Sequence, residues 1–310
     1  MTGHSLTRRA AVAVAALTSV ALVAAGCGGD SGDTSSGTGD GGSSTPLPSV
    51  AADDTLAAMV PAAVSEDGVI SVGSDTTYAP NEFIAEDGET IVGFDVDLFT
   101  LVAQKLGLEA EFVTAPFDSI IAGVGSGRYE VGVSSFTIND ERLTQVNMVS
   151  YFSAGTQWAT RAGNPDDVDP DAACGLAVAV QKATVQVDDI TARSDACVAA
   201  GDEAITIDQY DGQDQATAAI ASGKDDAGLA DSPIMAYAVE QTGGQLELLG
   251  DIYDSAPYGY VVPKDETDFA QALADAVQAL VDDGSYLEVL QRWGVEDGAI
   301  DDPTVNPAAG

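Results

Sequence analysis

Short runs rich in β-branched residues alternate with helical stretches along most of this chain, and this alternation strongly limits how it can fold. Runs at 69–74, 109–115 and 129–135 are typical of strands. Helical patterns over 94–108 and 117–127 separate them. Repeated strand–helix–strand units predict an α/β fold with a largely parallel sheet.

A second α/β set follows a stretch with Gly, Asn and Pro at 161–173. Its predicted strands are 176–180, 204–208 and 226–231, and its predicted helices are 184–200, 215–223 and 232–244. A strand at 258–263 and helices at 269–284 and 285–294 are predicted to complete the fold. Ligands of open α/β sheets bind beyond the carboxyl ends of the strands. We therefore expect binding residues in the segments 74–80, 114–119, 134–142, 181–186 and 230–233.

Charge and histidine content exclude several functions. The chain has 50 acidic and 11 basic residues, a net charge of -39, whereas binding to nucleic acid or to an anionic membrane surface needs clustered Lys and Arg. The only histidine, His4, lies in a segment that we expect to be removed, which excludes Ser-His-Asp and Cys-His catalysis. We expect no metal and no cofactor, because few zinc or copper ligands remain.

The first residues are typical of an export signal. Arg8 and Arg9 precede a short Ala- and Val-rich run that favours a signal peptide, residues 1–26, over a membrane-spanning anchor. The sequence 24–27, AAGC, resembles the lipobox of bacterial lipoproteins, although Ala24 stands where Leu is usual. This resemblance implies lipidation of Cys27; cleavage nearby with a free Cys27 is the alternative. Arg8 and Arg9 also weakly resemble a twin-arginine signal, so both export routes stay open.

The segment after Cys27 has little to bury. Residues 28–49 consist mostly of Gly, Ser, Thr and Asp, which predicts a flexible tether, and we extend it to residue 60. Cys174 and Cys197 remain, and in an exported chain they are predicted to form a disulfide. Two buried free thiols are the alternative, and a metal site is disfavoured without histidine or a CxxC motif.

One stretch indicates a family. GFDVDLFTLVAQKL, residues 93–106, resembles the signature of the family 3 solute-binding proteins of polar amino acid ABC transporters. Other segments similar to the family occur in its order and spacing: SDTTYAPNEF, APFDSIIAGV, SSFTINDER, VAVQKATVQ, LADSP and YGYVVPK. The resemblance covers residues 68–296, nearly all of the predicted folded part.

The resemblance implies a two-lobed periplasmic-binding-protein-like fold of type II with two hinge strands. Lobe 1 would comprise 61–154 and 259–300, lobe 2 would comprise 155–258, and 301–310 would be a flexible tail. It implies a monomeric lipoprotein at the outer face of the cytoplasmic membrane, of the Gram-positive type. Such a protein binds a polar L-amino acid between its lobes and delivers it to an ABC-transporter permease.

Family positions also imply roles for single residues. Arg142, with Thr137, matches the clamp for the ligand's α-carboxylate, for which a guanidinium fork is well suited. Ser134 and Ser135 match positions that offer main-chain carbonyls to the α-ammonium group, and Asp231 matches its acidic partner. Without the family, Arg142 would be interpreted as a surface charge and Asp231 as a plain helix N-cap.

Further positions concern the rest of the ligand. Tyr78 and Phe117 match two aromatic residues that sandwich its aliphatic part, although aromatic residues after strands are more often core. Thr184 begins a helix whose free N–H groups would contact the carboxylate, and Gln181 matches a position that reads the side chain. The chain departs from the family at Ala183, where glycine is usual.

Asp75 is the position most informative about ligand identity. Relatives use the matching carboxylate to accept hydrogen bonds from a side-chain nitrogen, so Asp75 favours a glutamine-like or cationic amino acid, unless Lys182 compensates its charge. The alternatives are a glutamate- or aspartate-binding protein, a sensor module, or an enzyme resembling cyclohexadienyl dehydratase with Asp75 or Asp231 as proton donor. We expect a binding protein and not an enzyme.

Overall fold

The structure is a computed structural model that describes residues 46–308. The predicted signal segment, Cys27 and the tether up to residue 45 lie outside the described residues. Within residues 46–308, eleven strands and ten helices form an α/β fold. The strands are β1 Val69–Ser74, β2 Thr77–Tyr78, β3 Glu82–Ile84, β4 Ile91–Val92, β5 Glu109–Thr114, β6 Val131–Gly132, β7 Asn147–Arg161, β8 Ala177–Gln181, β9 Thr206–Tyr210, β10 Ala227–Asp231 and β11 Leu246–Val262. The helices are α1 Asp54–Ala57, α2 Ala62–Ser65, α3 Phe94–Lys105, α4 Phe117–Gly125, α5 Asp140–Gln145, α6 Val185–Ala200, α7 Gln213–Ser222, α8 Ser232–Gln241, α9 Thr267–Asp283 and α10 Ser285–Trp293.

Two long antiparallel strands connect the two halves of the main sheet. The strand order is β5-β1-β6-β11-β7-β10-β8-β9, with β7 and β11 in the middle. On one side, β1 pairs in parallel with β5 and β6; on the other, β8 pairs in parallel with β9 and β10. The strands β2, β3 and β4 form a small separate sheet. This is the predicted two-lobed architecture, with β7 and β11 as its two hinge strands.

Each half of the sheet buries apolar residues against its own helices. In the first half, the apolar faces of α3, α9 and α10 pack together, with Phe99, Leu273 and Leu290 fully buried. In the second half, helices α6, α7 and α8 cover the sheet, and Trp158 of β7 is almost completely buried there. Burial of apolar surface on both faces explains why the strands carry runs of β-branched residues.

Both predicted flexible ends fold in part. In the stretch predicted as tether, Asp53 caps α1, and Leu56 packs against the apolar core of the first half. In the predicted tail, Val305 forms a bridge with Val149, and the Met148 N–H donates to Asn306 Oδ1 at 2.9 Å. The tether prediction is thus wrong for residues 53–60, and the tail prediction is wrong for 304–306, because both segments pair with or pack against the first half.

The remaining differences concern strands. The strand predicted at 129–135 is reduced to β6, because the following residues turn towards the loop before α5. The strand predicted at 258–263 is only the end of β11, which already begins at Leu246. Cys174 and Cys197 form the predicted disulfide, with their Cα atoms 5.6 Å apart. None of the described helices has the length and apolar character needed to cross a membrane.

Candidate functional site

Ten residues singled out in the sequence lie around one cavity between the two halves. They are Asp75, Tyr78, Phe117, Ser134, Ser135, Thr137, Arg142, Gln181, Thr184 and Asp231. Val185 and Gln186, which the sequence did not single out, also line it. The residues lie at or shortly after the carboxyl ends of β1, β5, β6, β8 and β10, as expected for an open α/β sheet.

The Arg142 side chain points into the cavity although its main chain belongs to a short surface helix. Asn139 caps α5, and its Oδ1 accepts a hydrogen bond from the Arg142 N–H at 2.8 Å. The Arg142 residue is only 7% exposed. Its Nη1 donates to the Thr137 carbonyl at 2.7 Å, and its Nη2 donates to the Ala183 carbonyl at 3.2 Å. Arg142 therefore contacts main-chain groups of both halves.

The Arg142 guanidinium lies beside two aromatic rings, Phe117 and Phe136, which stack on each other with their centres 4.6 Å apart. Its Cζ lies 5.5 Å from the ring centre of Phe117 and 5.4 Å from that of Phe136. Burial lowers the pKa of Arg142 to about 10, and the charge of Asp231 opposes this decrease. At neutral pH the guanidinium is thus charged, poorly hydrated and without a carboxylate in salt-bridge contact among the described residues. An anion entering the cavity would be strongly attracted to it.

Asp231 is surrounded by hydrogen-bond donors. Its Oδ2 accepts from the hydroxyls of Tyr78 at 2.8 Å and Tyr258 at 2.7 Å, and its Oδ1 accepts from Gln186 Nε2 at 2.8 Å. The side chain makes no capping hydrogen bond to α8, so Asp231 is more than a plain N-cap. Burial raises the pKa of Asp231, while the three donors favour the ionised form.

The sequence did not identify Gln186 and Tyr258 as residues of the site, for two different reasons. Gln186 lies in the first turn of α6, close to Thr184, and the expectation of binding residues over 181–186 gave a signal that could have identified it. Tyr258 lies inside β11, where alternating aromatic residues are typical of core, and its contact with Asp231 gave no local signal. Gln186 Nε2 also lies 3.0 Å from Thr156 Oγ1, which connects the site to β7.

Asp75 also lines the cavity, and among residues 46–308 its carboxylate has no basic partner. Asp75 Oδ1 accepts from the N–H and hydroxyl of Thr77 at 3.1 and 2.7 Å, and Oδ2 accepts from the Phe117 N–H at 3.0 Å and Gln181 Nε2 at 2.9 Å. Burial raises the pKa of Asp75, and these four donors oppose the increase.

Lys182 does not compensate the charge of Asp75. Its Nζ pairs instead with Asp118 at 3.0 Å and Asp211 at 2.7 Å, at a partly exposed position. Asp118 lies in the first turn of α4, in the first half, and Asp211 follows β9, in the second half. The ion pairs of Lys182 therefore connect the two halves outside the cavity. The sequence had left open whether Lys182 would neutralise Asp75.

The loop before α6 is conformationally unusual. Ala183 has a φ of 62°, a left-handed conformation that favours glycine, which gives a physical reason for the glycine usual in similar proteins. Thr184 donates its hydroxyl to the Gln181 carbonyl at 2.7 Å, so its side chain shapes the loop. The side chain does not cap α6, and the first N–H groups of this 16-residue helix begin beside the cavity.

The charges define what the cavity can bind. Arg142 supplies one positive charge, and Asp75 and Asp231 supply two negative charges at separate walls. A carboxylate beside Arg142 and an ammonium group beside Asp231 would leave Asp75 for a second cation or a donor. Among residues 46–308, no group of three or more His, Cys, Asp or Glu is arranged to hold a metal ion.

Known proteins resemble this chain over most of its length. Residues 70–296 match the bacterial extracellular solute-binding proteins, family 3. The arginine-binding protein ArgT of Corynebacterium glutamicum is 39% identical over 252 residues, or 81% of this chain and 82% of that protein. A solved ancestral arginine-binding protein bound to arginine is 28% identical with a TM-score of 0.67, covering 73% of this chain and 98% of that chain. An ancestral arginine-binding protein bound to glutamine is 29% identical with a TM-score of 0.67, over 74% and 99% of the two chains.

Proposed function

Because this chain belongs to the bacterial extracellular solute-binding proteins of family 3, we propose that it captures a cationic L-amino acid of the arginine type. The general class follows from membership: it is an exported amino-acid-binding protein, related to binding proteins of transport and not to enzymes. The proposal adds the side-chain class of the ligand, the residues that hold it, and its delivery to an ABC-transporter permease.

The carboxylate of Asp75 is the observation that carries the proposal. Arg142 and Asp231 match the two charges of an amino acid's α-carboxylate and α-ammonium groups, so those four charges cancel. Asp75 then remains as one uncompensated negative charge, 3% exposed, because Lys182 pairs with other carboxylates. A positively charged ligand side chain would complete the charge balance of the buried site.

The other site residues fit the same ligand. Thr137 and the N-terminus of α6 would add donors to the carboxylate beside Arg142, and the carbonyls of Ser134 and Ser135 would accept from the ammonium group. The rings of Tyr78 and Phe117 would contact the aliphatic part of the side chain, and Gln181 would read its end. A ligand held in this way is of the same type as the arginine for which the relatives ArgT and the ancestral arginine-binding protein are named.

A glutamine-like ligand is the second candidate, and one contact favours it. The Gln181 amide donates to Asp75 Oδ2 at 2.9 Å, so a carboxamide is an adequate partner for this carboxylate. An ancestral arginine-binding protein also has a solved structure bound to glutamine. Glutamate and aspartate are disfavoured, because their side-chain carboxylates would meet the like charge of Asp75.

We also propose how the binding protein is anchored and how its lobes close. Lipid on Cys27 would hold it at the outer face of the cytoplasmic membrane, as in Gram-positive bacteria, with the Gly- and Ser-rich tether between lipid and lobes. Lobe 1, built from 61–154 and 259–300, would close on lobe 2, 155–258, by bending at β7 and β11. A monomer would then present the closed lobes to the permease.

Isothermal titration calorimetry of the soluble domain, residues 46–310, tests the ligand class. Arginine, lysine, ornithine, glutamine, glutamate and histidine are titrated after ligand carried through purification has been removed by partial unfolding and refolding. We expect arginine or another cationic amino acid to bind most tightly. Tightest binding by glutamine would favour the second candidate, and tightest binding by glutamate would overturn the charge argument.

A further inference from the structure

Two buried carboxylic acids lie directly behind the turn formed by Ser134 and Ser135. Glu82 is the first residue of β3, Asp95 lies in the first turn of α3, and both are 0% exposed. Neither lines the cavity. Neither belongs to any ion pair of the described residues, so no cation compensates their charge.

Both carboxyl groups bind the serine turn. The Ser134 hydroxyl donates to Glu82 Oε1 at 2.9 Å, and the Ser135 N–H donates to Asp95 Oδ2 at 3.1 Å. The Ser135 hydroxyl lies 3.2 Å from Glu82 Oε2 and 3.2 Å from Asp95 Oδ2. Ser135 has a φ of 51°, a left-handed conformation that an L-residue adopts only where its surroundings hold it. The acids thus contact the turn where its conformation is least favourable.

The shared contact with Ser135 places the carboxyl groups of Glu82 and Asp95 close to each other. The single Ser135 hydroxyl lies 3.2 Å from an oxygen of each side chain, so Glu82 and Asp95 are close neighbours, and a proton on one of them would relieve the repulsion between two buried negative charges. Asp95 Oδ2 accepts from the Tyr151 hydroxyl at 2.6 Å, whereas the buried Asp95 Oδ1 has no N–H or other O–H donor among the described residues. A proton on Glu82 would add a donor beside this carboxylate.

The surroundings keep this proton in place. The titratable groups that face the pair are Asp75 after β1, Tyr78 of β2, Tyr151 of β7 and Tyr260 of β11. None of these groups is a cation. Burial, followed by the charge of Asp95, raises the pKa of Glu82 well above its usual value, and burial raises the pKa of Asp95 to about 6. Both shifts are in the direction that favours one proton held by the pair.

We propose that Glu82 and Asp95 are positioning residues that share one proton and hold the Ser134–Ser135 turn in the shape that receives the ligand's α-ammonium group. The inference rests on the proposed function, since it assigns the serine carbonyls to the ammonium group. It adds that ligand affinity depends on a proton held outside the cavity. Loss of that proton would place two negative charges side by side and disturb the turn.

Glu82→Gln and Glu82→Leu separate the shared proton from mere packing. The glutamine amide donates to Asp95 as the protonated acid does, so Glu82→Gln is expected to bind arginine with a Kd within about threefold of wild type near pH 6. Leucine fills the space but neither donates nor accepts, so Glu82→Leu is expected to weaken binding about tenfold or more. Equal Kd values for Glu82→Leu and wild type would overturn the inference.

The pH profile is the decisive readout, and it stays informative if Glu82→Leu does not fold. Glutamine cannot lose its donor, so the ratio of the wild-type Kd to the Glu82→Gln Kd should rise with pH, by up to about tenfold per pH unit above the pKa of the pair. Titration of Arg142 and of the ligand's amino group affects both proteins alike and cancels in the ratio. A ratio constant within about twofold from pH 6 to 9 would overturn the inference.

A matched variant and the wild type complete the design. Glu130 is a partly buried acid in the same half, and its Oε2 accepts from the Ser71 N–H at 2.7 Å, away from the cavity. Glu130→Gln should follow the wild-type profile, and a profile like that of Glu82→Gln would overturn the assignment to this pair. Failure of wild type to bind any amino acid would overturn the proposed function and the inference together, whereas a constant ratio overturns the inference alone.

Discussion

Tyr78 and Asp231 meet across the cavity although 153 positions separate them in the chain. The Tyr78 hydroxyl donates to Asp231 Oδ2 at 2.8 Å, and the Asp231 N–H donates back to the Tyr78 hydroxyl oxygen at 3.3 Å. Tyr78 belongs to the small sheet beside the first half, and Asp231 ends β10 in the second half. This contact joins the two halves at the wall where we propose that the ligand's ammonium group binds.

Asp231→Asn should weaken binding of every amino acid. The substitution keeps the shape but removes the charge that would pair with an ammonium group, and its amide would face the hydroxyl and amide donors of the site. We expect a Kd at least about tenfold higher, the range for losing a charged hydrogen-bond partner. Calorimetry measures the change. Asp195→Asn, an exposed carboxylate on α6, is the control, and an equal effect of both variants would contradict the role of Asp231.

Arg142→Ala should abolish measurable binding while the protein stays folded. Truncation removes the guanidinium that would clamp the carboxylate, and removing one partner of a buried charged pair typically weakens binding about 30-fold or more. Calorimetry measures affinity and circular dichroism checks folding. Arg128 is exposed and stacks on Tyr129, so Arg128→Ala should bind normally. Arginine binding by Arg142→Ala within about threefold of wild type would refute the clamp.

Asp75→Asn should change the ligand preference and not simply weaken binding. The asparagine oxygen still accepts from the surrounding donors, but the NH2 group cannot accept. The neutral side chain also no longer attracts a cationic ligand side chain. We expect the Kd for arginine to rise about tenfold or more and the Kd for glutamine to change much less. Calorimetry with both ligands gives the ratio. Asp118→Asn removes a carboxylate that pairs with Lys182 outside the cavity and should leave this ratio unchanged.

The sequence could predict most of the helices and the ten singled-out residues that line the cavity, for different reasons. Helix α3 follows from its apolar stripe, and β1 was predicted with its observed limits, because both are set by local pattern. These ten residues were identified from family positions and not from local physics, since nothing in the residues near Arg142 distinguishes it from a surface charge. The resemblance supplied the long-range arrangement that periodicity lacks.

Long-range pairing explains what the sequence missed. Strand β7 contains Ser, Thr, Gln and Gly among its apolar residues, and its identity as a strand comes from pairing with β11 and β10 on either side. The acid pair of Glu82 and Asp95 is invisible locally, since each residue resembles an ordinary surface carboxylate near a turn or a helix start. Only the fold brings them behind Ser135, where burial makes them unusual.

Removal of the disulfide should cost stability and leave the ligand preference intact. The Cys174–Cys197 bond closes a loop with a sequence separation of 23, which corresponds to about 3 kcal/mol on the chain-entropy model. Cys197 lies near the end of α6, about 18 Å along the helix from its start at the cavity. Urea unfolding and calorimetry of Cys174→Ser/Cys197→Ser measure the two effects. A large change in the Kd for arginine would show that the second half needs the bond to shape the site.

Stability should fall with rising pH because of Glu82, and Glu82→Gln should remove this dependence. The folded pKa of Glu82 is raised above the unfolded value near 4.5, so between these two values the native state binds more protons than the unfolded state. The free energy of unfolding therefore decreases as pH rises through this window, by up to about 1.4 kcal/mol per pH unit for one proton. Below pH 4.5 both states are protonated, and the contribution is fully present.

Urea unfolding of wild type and Glu82→Gln from pH 5 to pH 8 measures this dependence without any ligand. The other buried acids, Asp75, Asp95 and Asp231, remain in both proteins, so the difference between the two curves reports on the proton that Glu82 shares with Asp95. We expect the stability of Glu82→Gln relative to wild type to increase with pH, and exposed Glu240→Gln to run parallel to wild type. Parallel curves for Glu82→Gln and wild type would mean that Glu82 loses its proton equally easily in both states, and that burial behind Ser135 does not retain it.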